Sequence, residues 1–438
     1  MKSFRLLSIV MALSAVASMP ARAQSLVDLY EYARAFDATF QSAKSQYEAA
    51  VFKGEQSRAG TLPTVNLGLA ASRSNADVNI KIPEAYGAQS ATLGASQPLY
   101  RPANWLNWEQ GKKSVIIAQA QLLSAEQDLV LKVSQAYFDV LAAQDALTFV
   151  VAQKTAVAEQ LASAKRNFEV GTSTITDTRE AQAKYDLVVA QQIAAENDLR
   201  VKKIALDQLV GRTEATPNPL APPVVLPALL PDDVTIWVTQ SNDEHPLLRQ
   251  SVLALEVAQL ETRKAQAGNK PTLDLTASYQ RARNDGTASS FSNSRINTAT
   301  VGLSFNLPLF AGFAIENRVK ETLALEDKAR TDLEAARRTV AQNTRTAYFG
   351  VLSGQGQVKA LEAAEASSQS ALDANKLGYQ VGVRINIDVL NAQSQLFQTK
   401  RDLAKARYDV LLGGLKLRQA NGTLKPEDLQ AINPLLVK

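Results

Sequence analysis

The 438-residue chain contains no cysteine and a single histidine. Without thiols there is no disulfide, no thiolate metal site, no cysteine nucleophile and no cysteine to carry the N-terminal lipid of some exported proteins. The lone imidazole, His245, is followed directly by Pro246. One histidine gives an imidazole-based active site little to work with, so a turn or helix-capping role is expected and no catalytic residue, cofactor or metal is assigned. Long apolar runs are equally scarce. The run from Leu6 to Val16 is too short to cross a bilayer as a helix, and no later stretch approaches the ~20 apolar residues such a helix needs. Any membrane-spanning part must therefore be a closed β-barrel. An excess of one charge is also missing. The formal net charge is +4, and Lys2, Arg5 and Arg22 all fall near the start, so the high isoelectric point gives no reason to expect nucleic-acid binding.

Those three basic residues frame a recognisable pattern. Lys2 and Arg5, the apolar run, Pro20 and Ala21-Arg22-Ala23 have the order and the A-x-A ending of a secretory signal peptide. Residues 1–23 are expected to be removed, leaving Gln24 as the first mature residue.

The rest of the chain repeats itself. Ala136-Tyr137-Phe138 recurs as Ala347-Tyr348-Phe349. Phe168, Val170, Gly171 and Asp177 recur as Tyr379, Val381, Gly382 and Asp388, and Gly211 recurs as Gly422, all at one constant spacing. Upstream, Leu62-Pro63-Thr64-Val65 matches Lys270-Pro271-Thr272-Leu273, and Gln97-Pro98-Leu99-Tyr100 matches Leu307-Pro308-Leu309-Phe310, at slightly shorter spacings that place the length differences in loops. Such self-similarity dictates architecture more strongly than local propensity does. It predicts a first repeat at 24–212 and a second at 233–438, each ordered helix, strand, polar loop, strand, long helix, glycine turn, helix. Six of the 16 prolines lie between them, in a region where neither helix nor ladder is sustained. Residues 213–232 are therefore read as a linker.

Val389, Leu396, Leu403, Val410 and Leu417 recur every seven residues, with the smaller Ala392, Thr399, Ala406, Gly413 and Ala420 three behind each. This is a heptad seam whose second position lets a partner helix come close. Ala181, Val188, Ala195 and Leu209 repeat it in the first half, and Val133, Val140, Leu147, Leu161 and Phe168 mark the preceding helix. No proline interrupts 103–169, which as one helix would run roughly 100 Å. Periodicity leaves open whether these helices form a thin wall, each touching two neighbours, or an ordinary antiparallel coiled coil.

The strands decide that choice. Val65, Leu67, Leu69 and Ala71 alternate with polar or small residues, as do Leu273, Leu275, Ala277 and Tyr279, and Ala299, Val301, Leu303, Phe305 and Leu307. Each run has about the 9 to 11 residues of a membrane-spanning strand. The expected loops, Asn75 to Gln89 and Arg281 to Ser294, are polar and glycine-containing. Four such strands cannot close around a lumen, so several chains must combine, and three would supply twelve strands. Pro98 and Pro308 are expected at the strand-to-helix junctions, ending each strand and setting the exit angle. Tyr100, Trp105, Trp108 and Phe310 cluster just beyond, where either an interfacial aromatic belt or core packing accounts for them.

Several segments resemble the TolC family of outer-membrane efflux proteins. Gly378-Tyr379-Gln380-Val381-Gly382-Val383-Arg384 with Ile387-Asp388-Val389-Leu390 looks like that family's second tip turn, and Val170-Gly171 with Ile175-Thr176-Asp177 like its first. Leu403-Ala404-Lys405-Ala406-Arg407-Tyr408 and Gly422-Thr423-Leu424 extend the likeness. The resemblance implies a mixed α and β membrane protein: a homotrimer with a twelve-stranded outer-membrane β-barrel, four strands per chain, and a twelve-helix periplasmic α-barrel with an equatorial belt. It implies a passive exit duct for efflux or type I secretion, with outer-membrane lipid around it. Its partners would be a periplasmic adaptor and an inner-membrane pump of RND, ABC or MFS type. It also implies that Tyr379 and Arg384 hold the tip closed through Asp177, with Gln160 as a further member of that network, and that Asp388 rings the entrance. A second acidic position one turn on is Asn391 here, leaving one carboxylate per chain at the constriction. Read as residues alone, Asp177 and Asp388 also fit helix caps. The competing reading for the whole chain is a periplasmic coiled-coil adaptor or structural envelope protein.

Overall fold

A computed structural model describes residues 24–75, 85–287 and 290–437. The expected signal peptide at 1–23 and the middle of the first strand loop lie outside the described residues. The elements are α1 (Leu26–Phe36), α2 (Ala38–Arg58), β1 (Thr64–Asn75), β2 (Ala85–Tyr100), α3 (Pro102–Glu169) and α4 (Ile175–Val210), then α5 (Val234–Glu244), α6 (Pro246–Gln266), β3 (Thr272–Thr287), β4 (Ser290–Asn306), α7 (Ala314–Gln380) and α8 (Asn386–Ala420). The order of the first six thus recurs in the last six. His245 caps α5, its N–H reaching the Ser241 carbonyl at 3.2 Å, as expected, and burial pushes its imidazole below its ordinary value.

Contacts divide the chain into two compact units that cut across the two sequence halves. One comprises Lys44–Leu122 and Leu247–Arg337; the other holds the remainder.

The first unit carries an antiparallel sheet in the order β1-β2-β3-β4. Its strands span 12, 16, 16 and 17 residues, longer than the lengths expected from alternation. The expected loops shrink accordingly. Most of Arg281 to Ser294 is strand, paired out to Thr287 and Ser290, and β2 already begins at Ala85. Polar side chains hid these ends, because the alternation of apolar residues stops before the strand pairing does. One face of the sheet is apolar yet uncovered by the chain itself: Leu69 is 75% exposed and Val301 76%. Pro98 does not end its strand. It pairs with Asp274 at a register shift before Tyr100, a bulge that absorbs the missing N–H. The helix instead starts at Pro102, where the lost donor has no intrahelical partner to miss. Arg101 closes this corner with a two-pronged bond to the buried Asp274, at 2.7 and 2.5 Å. Pro308 lies two residues beyond the end of β4.

The second unit is built on the heptad seam. Val389, Leu396, Leu403, Val410 and Leu417 are all buried, as are Val133, Val140, Leu161, Ala181, Val188 and Leu209. Phe168 departs from its expected place and is 43% exposed beside the turn. Polar ties cross the helices: Tyr408, stacked on Phe138, donates to Asp145 at 2.7 Å, and burial raises both groups. The repeated Ala-Tyr-Phe motif acquires a purpose here. The Tyr137 hydroxyl donates to the Asn218 carbonyl at 2.9 Å and that of Tyr348 to Asp232 at 3.0 Å, so each copy fastens one end of the proline-rich linker.

Candidate functional site at the hairpin turns

Two long helices leave four carbonyls each to be satisfied where they stop, and α3 and α7 solve this identically. At the end of α3, the Thr172 N–H bonds the Asn167 carbonyl at 2.8 Å and the Gly171 N–H that of Phe168 at 3.0 Å; at the end of α7, Val383 bonds Gly378 at 2.9 Å and Gly382 bonds Tyr379 at 3.2 Å. Gly171 and Gly382 both adopt φ of 78°, the left-handed conformation that this C-terminal cap requires and that a Cβ opposes.

The restarting helices differ. Thr174 caps α4 in a reciprocal box: its N–H and hydroxyl donate to the Asp177 carboxylate at 2.9 and 2.8 Å, and the Asp177 N–H returns a bond at 3.2 Å. The matching position before α8 is Ile385, which has no side chain to cap with. Asp388 is therefore released from the role of its counterpart. It instead meets Arg384 across one turn at 3.8 Å, with both side chains partly exposed.

Within one chain the expected links from Tyr379 and Arg384 to the Asp177 carboxylate are not formed. That carboxylate is held by a partner three residues away, whose local geometry outcompetes a distant one. The Tyr379 hydroxyl accepts from the Asn167 amide at 3.1 Å. The buried link between the two hairpins is centred on Asn386. Only 1% exposed, it accepts from Gln160 on α3 and donates to the Asp177 carbonyl on α4 at 3.4 Å. Further along, Lys184 reaches Asn391 and Gln153 reaches Ser394, each at 3.5 Å. Below this polar seam lies an apolar cluster in which Leu390 of the second hairpin joins Val157, Leu161, Ala181 and Val188 of the first, with Ile387 against it. Tyr379, Arg384, Asp177, Gln160, Asp388 and Asn391 are thus gathered around one pair of turns, while Pro98 and Pro308 belong to the other unit. Asn386 and Asn167 went unrecognised in the sequence. The repeat held a signal for the first: Asn386 stands where the first half has Ile175, which is 49% exposed, so the copies exchange an exposed apolar residue for a buried polar one.

Comparison with known proteins agrees with this architecture. The family model for "Outer membrane efflux protein" matches residues 29–212 and again 237–423. The outer membrane protein TolC of Vibrio cholerae is 32% identical over 412 residues, covering 94% of this chain and 93% of that protein. The alkaline protease secretion protein AprF of Pseudomonas aeruginosa is 30% identical over 419 residues, covering 94% and 87%. A crystal structure of CusC, described for its transmembrane channel formation, superposes with a TM-score of 0.81 at 18% identity over 91% of this chain and 92% of that one. Uncovered apolar sheet, paired long hairpins and full-length likeness to channel proteins together place the chain in the outer membrane efflux protein family.

Proposed function

We propose that three copies of this chain form a passive exit duct through the outer membrane. Each copy contributes four strands to a twelve-stranded barrel and four long helices to a twelve-helix tunnel reaching into the periplasm. The observation that carries this reading is the sheet. Its apolar face is bare, and β1 and β4 are open edges. Within a membrane no backbone edge remains unpaired, so the edges must close on further copies. In this reading residues 1–23 are the export signal, 24–212 and 233–438 are equivalent halves, and 213–232 is the strap between them.

The duct serves efflux, type I secretion or both. The likeness to a protein named for secreting an alkaline protease supports polypeptide cargo, and the family description supports efflux. Opening occurs at the hairpin turns when a periplasmic adaptor and an inner-membrane pump engage the helices. Tyr379 and Arg384 then act between neighbouring chains, where the contacts of one chain leave their outer sides open, and three Asp388 carboxylates ring the entrance. Detergent extraction tests the assembly: the purified protein should migrate as a heat-sensitive trimer that retains its sheet. A monodisperse monomer with an intact sheet would refute it. Deleting the gene while profiling both drug susceptibility and secreted proteins identifies the cargo.

A further inference from the structure

The register of the sheet reveals a tier of arginines that neither a lumen nor a tip gate requires. On the apolar face, one row across the strands holds Leu67, Leu93, Tyr279 and Ala299. The next holds Leu69, Ala91, Arg281 and Asn297, and the one after it Ala71, Gln89, Arg283 and Arg295. Arg73 follows two residues beyond Ala71 on the same side of β1. Side chains alternate strictly along a strand, so these arginines project from the face that carries the leucines. The opposite face at that level carries Ser72, Ser90 and Ala282.

The tier is electrostatically unbalanced. Arg283 and Arg295 are directly paired across β3 and β4, an arrangement of like charges that weakens a sheet unless something neutralises it. Asp285 engages Arg283 at 3.2 Å. Among the described residues no carboxylate forms an ion pair with Arg73, Arg281 or Arg295. A shallow groove of about 620 Å³ opens among Leu69, Gln89, Arg281, Arg283 and Arg295, leaving room for a bulky anion.

Position identifies the kind of anion. From Leu273 to Arg281 the strand advances roughly 26 Å at about 3.3 Å per residue. Tilted as barrel strands are, it rises ~20 Å, close to the ~25 Å apolar band of an outer-membrane barrel. Arg281, Arg283 and Arg295 then stand at the edge of the hydrocarbon, at the end of the strands remote from Pro102 and Ala314. That end faces the outer leaflet. Guanidinium forks match phosphate oxygens in pairs.

We propose that Arg281, Arg283 and Arg295, with Arg73 beside them, form a site on the lipid-facing surface for the phosphate groups of an anionic glycolipid of the outer leaflet. This inference rests on the barrel reading above. The site would fix the depth of the barrel and let the tight Arg283–Arg295 pair persist.

The test uses the full-length assembled protein in a neutral detergent, titrated with bis-phosphorylated lipid A or its dephosphorylated counterpart and read by native mass spectrometry. The parent should retain the phosphorylated lipid and not the dephosphorylated one. Retention should weaken by about fivefold for each arginine removed, in R295Q alone and further in R281Q/R283Q/R295Q, while the corresponding lysine variants should fall in between. Heat-sensitive trimer migration and bilayer conductance report separately on the barrel. If the parent shows neither, the barrel reading itself fails. If both are intact but R295Q retains the lipid like the parent, or dephosphorylation makes no difference, the inference is overturned. Displacement of the lipid by inorganic pyrophosphate at equal phosphate concentration would overturn it too, by identifying a site for soluble anions.

Discussion

Replacing Asn386 by leucine should loosen the closed arrangement of the two hairpins more than any change at the exposed gate residues. The substitution removes the acceptor for Gln160 and the donor for the Asp177 carbonyl. Each lost bond is worth about 1 kcal/mol net, more if the stranded partner stays dry, which gives about 2 kcal/mol per chain. At about 1.4 kcal/mol per factor of ten, that is roughly a thirtyfold shift toward separated hairpins. By contrast, the Arg384–Asp388 pair is long and partly exposed, and such pairs contribute ~0–1 kcal/mol. Leucine keeps the branched shape of asparagine and extends the apolar surface of Ile387 and Leu390, so the packing below should survive. In planar bilayers, correctly assembled N386L trimers should spend far more time open than the parent. Q160A should produce about half the effect in free energy, because it removes only one of the two bonds. The two changes together should fall short of their sum by about 1 kcal/mol, the shared bond being lost only once. If N386L conducts like the parent, Asn386 is a local fastening of α8 and the hairpins are held together by the apolar cluster and the remaining polar links.

Other consequences are open to equally direct measurement. Tyr379→Phe with Arg384→Ser should raise single-channel conductance several-fold while leaving trimer stability unchanged, since phenylalanine keeps the ring that packs against Val389 and Leu396 and Arg384 is largely exposed; unaltered conductance would reduce both to structural caps. Asp388→Asn should lower cation selectivity, read as a shift in reversal potential under a salt gradient, and an unchanged potential would place selectivity elsewhere. Glu261 is partly desolvated, which alone would raise its carboxyl, but hydrogen bonds from Lys264, Gln110 and Arg318 outweigh this and hold it at about 2. Its contribution to stability is therefore complete above its ordinary value near 4.5 and disappears as pH falls through about 2. Discounted for partly exposed partners, it is worth about 1–2 kcal/mol, so melting curves of the parent and E261Q should differ at neutral pH and converge near pH 2. Gly422→Ala should destabilise by about 2–4 kcal/mol, because Gly422 has φ of 87° and a Cβ there would lie 2.4 Å from the His245 Cα; a melting temperature like the parent's would show that the C-terminal segment yields.

Much of this was legible because it depends on period and composition. The heptad seam, the long helices and the alternating strands follow from which side chains are apolar and how often they recur. The absence of long apolar runs meant, before any motif was considered, that any membrane-spanning part had to be a β-barrel. The turns were legible too, since glycine is the residue that accepts the left-handed backbone at Gly171 and Gly382.

What the tertiary structure decided was partnership. Asp177 and Asp388 are equivalent in sequence, yet one closes a capping box with Thr174 and the other is free to face Arg384, because Ile385 replaces the cap. Asn386 became the bridge between hairpins only when three helices met around it. Pro98 sits in a bulge and not at a strand end, since its missing donor is absorbed by a shift in register that depends on β3. The arginine tier likewise emerged only from the pairing of four strands, two from each half of the chain. Period is carried by each segment alone, whereas the partner of a polar side chain is chosen by whichever group, near or far in sequence, the packed helices and strands bring within about 3 Å of it.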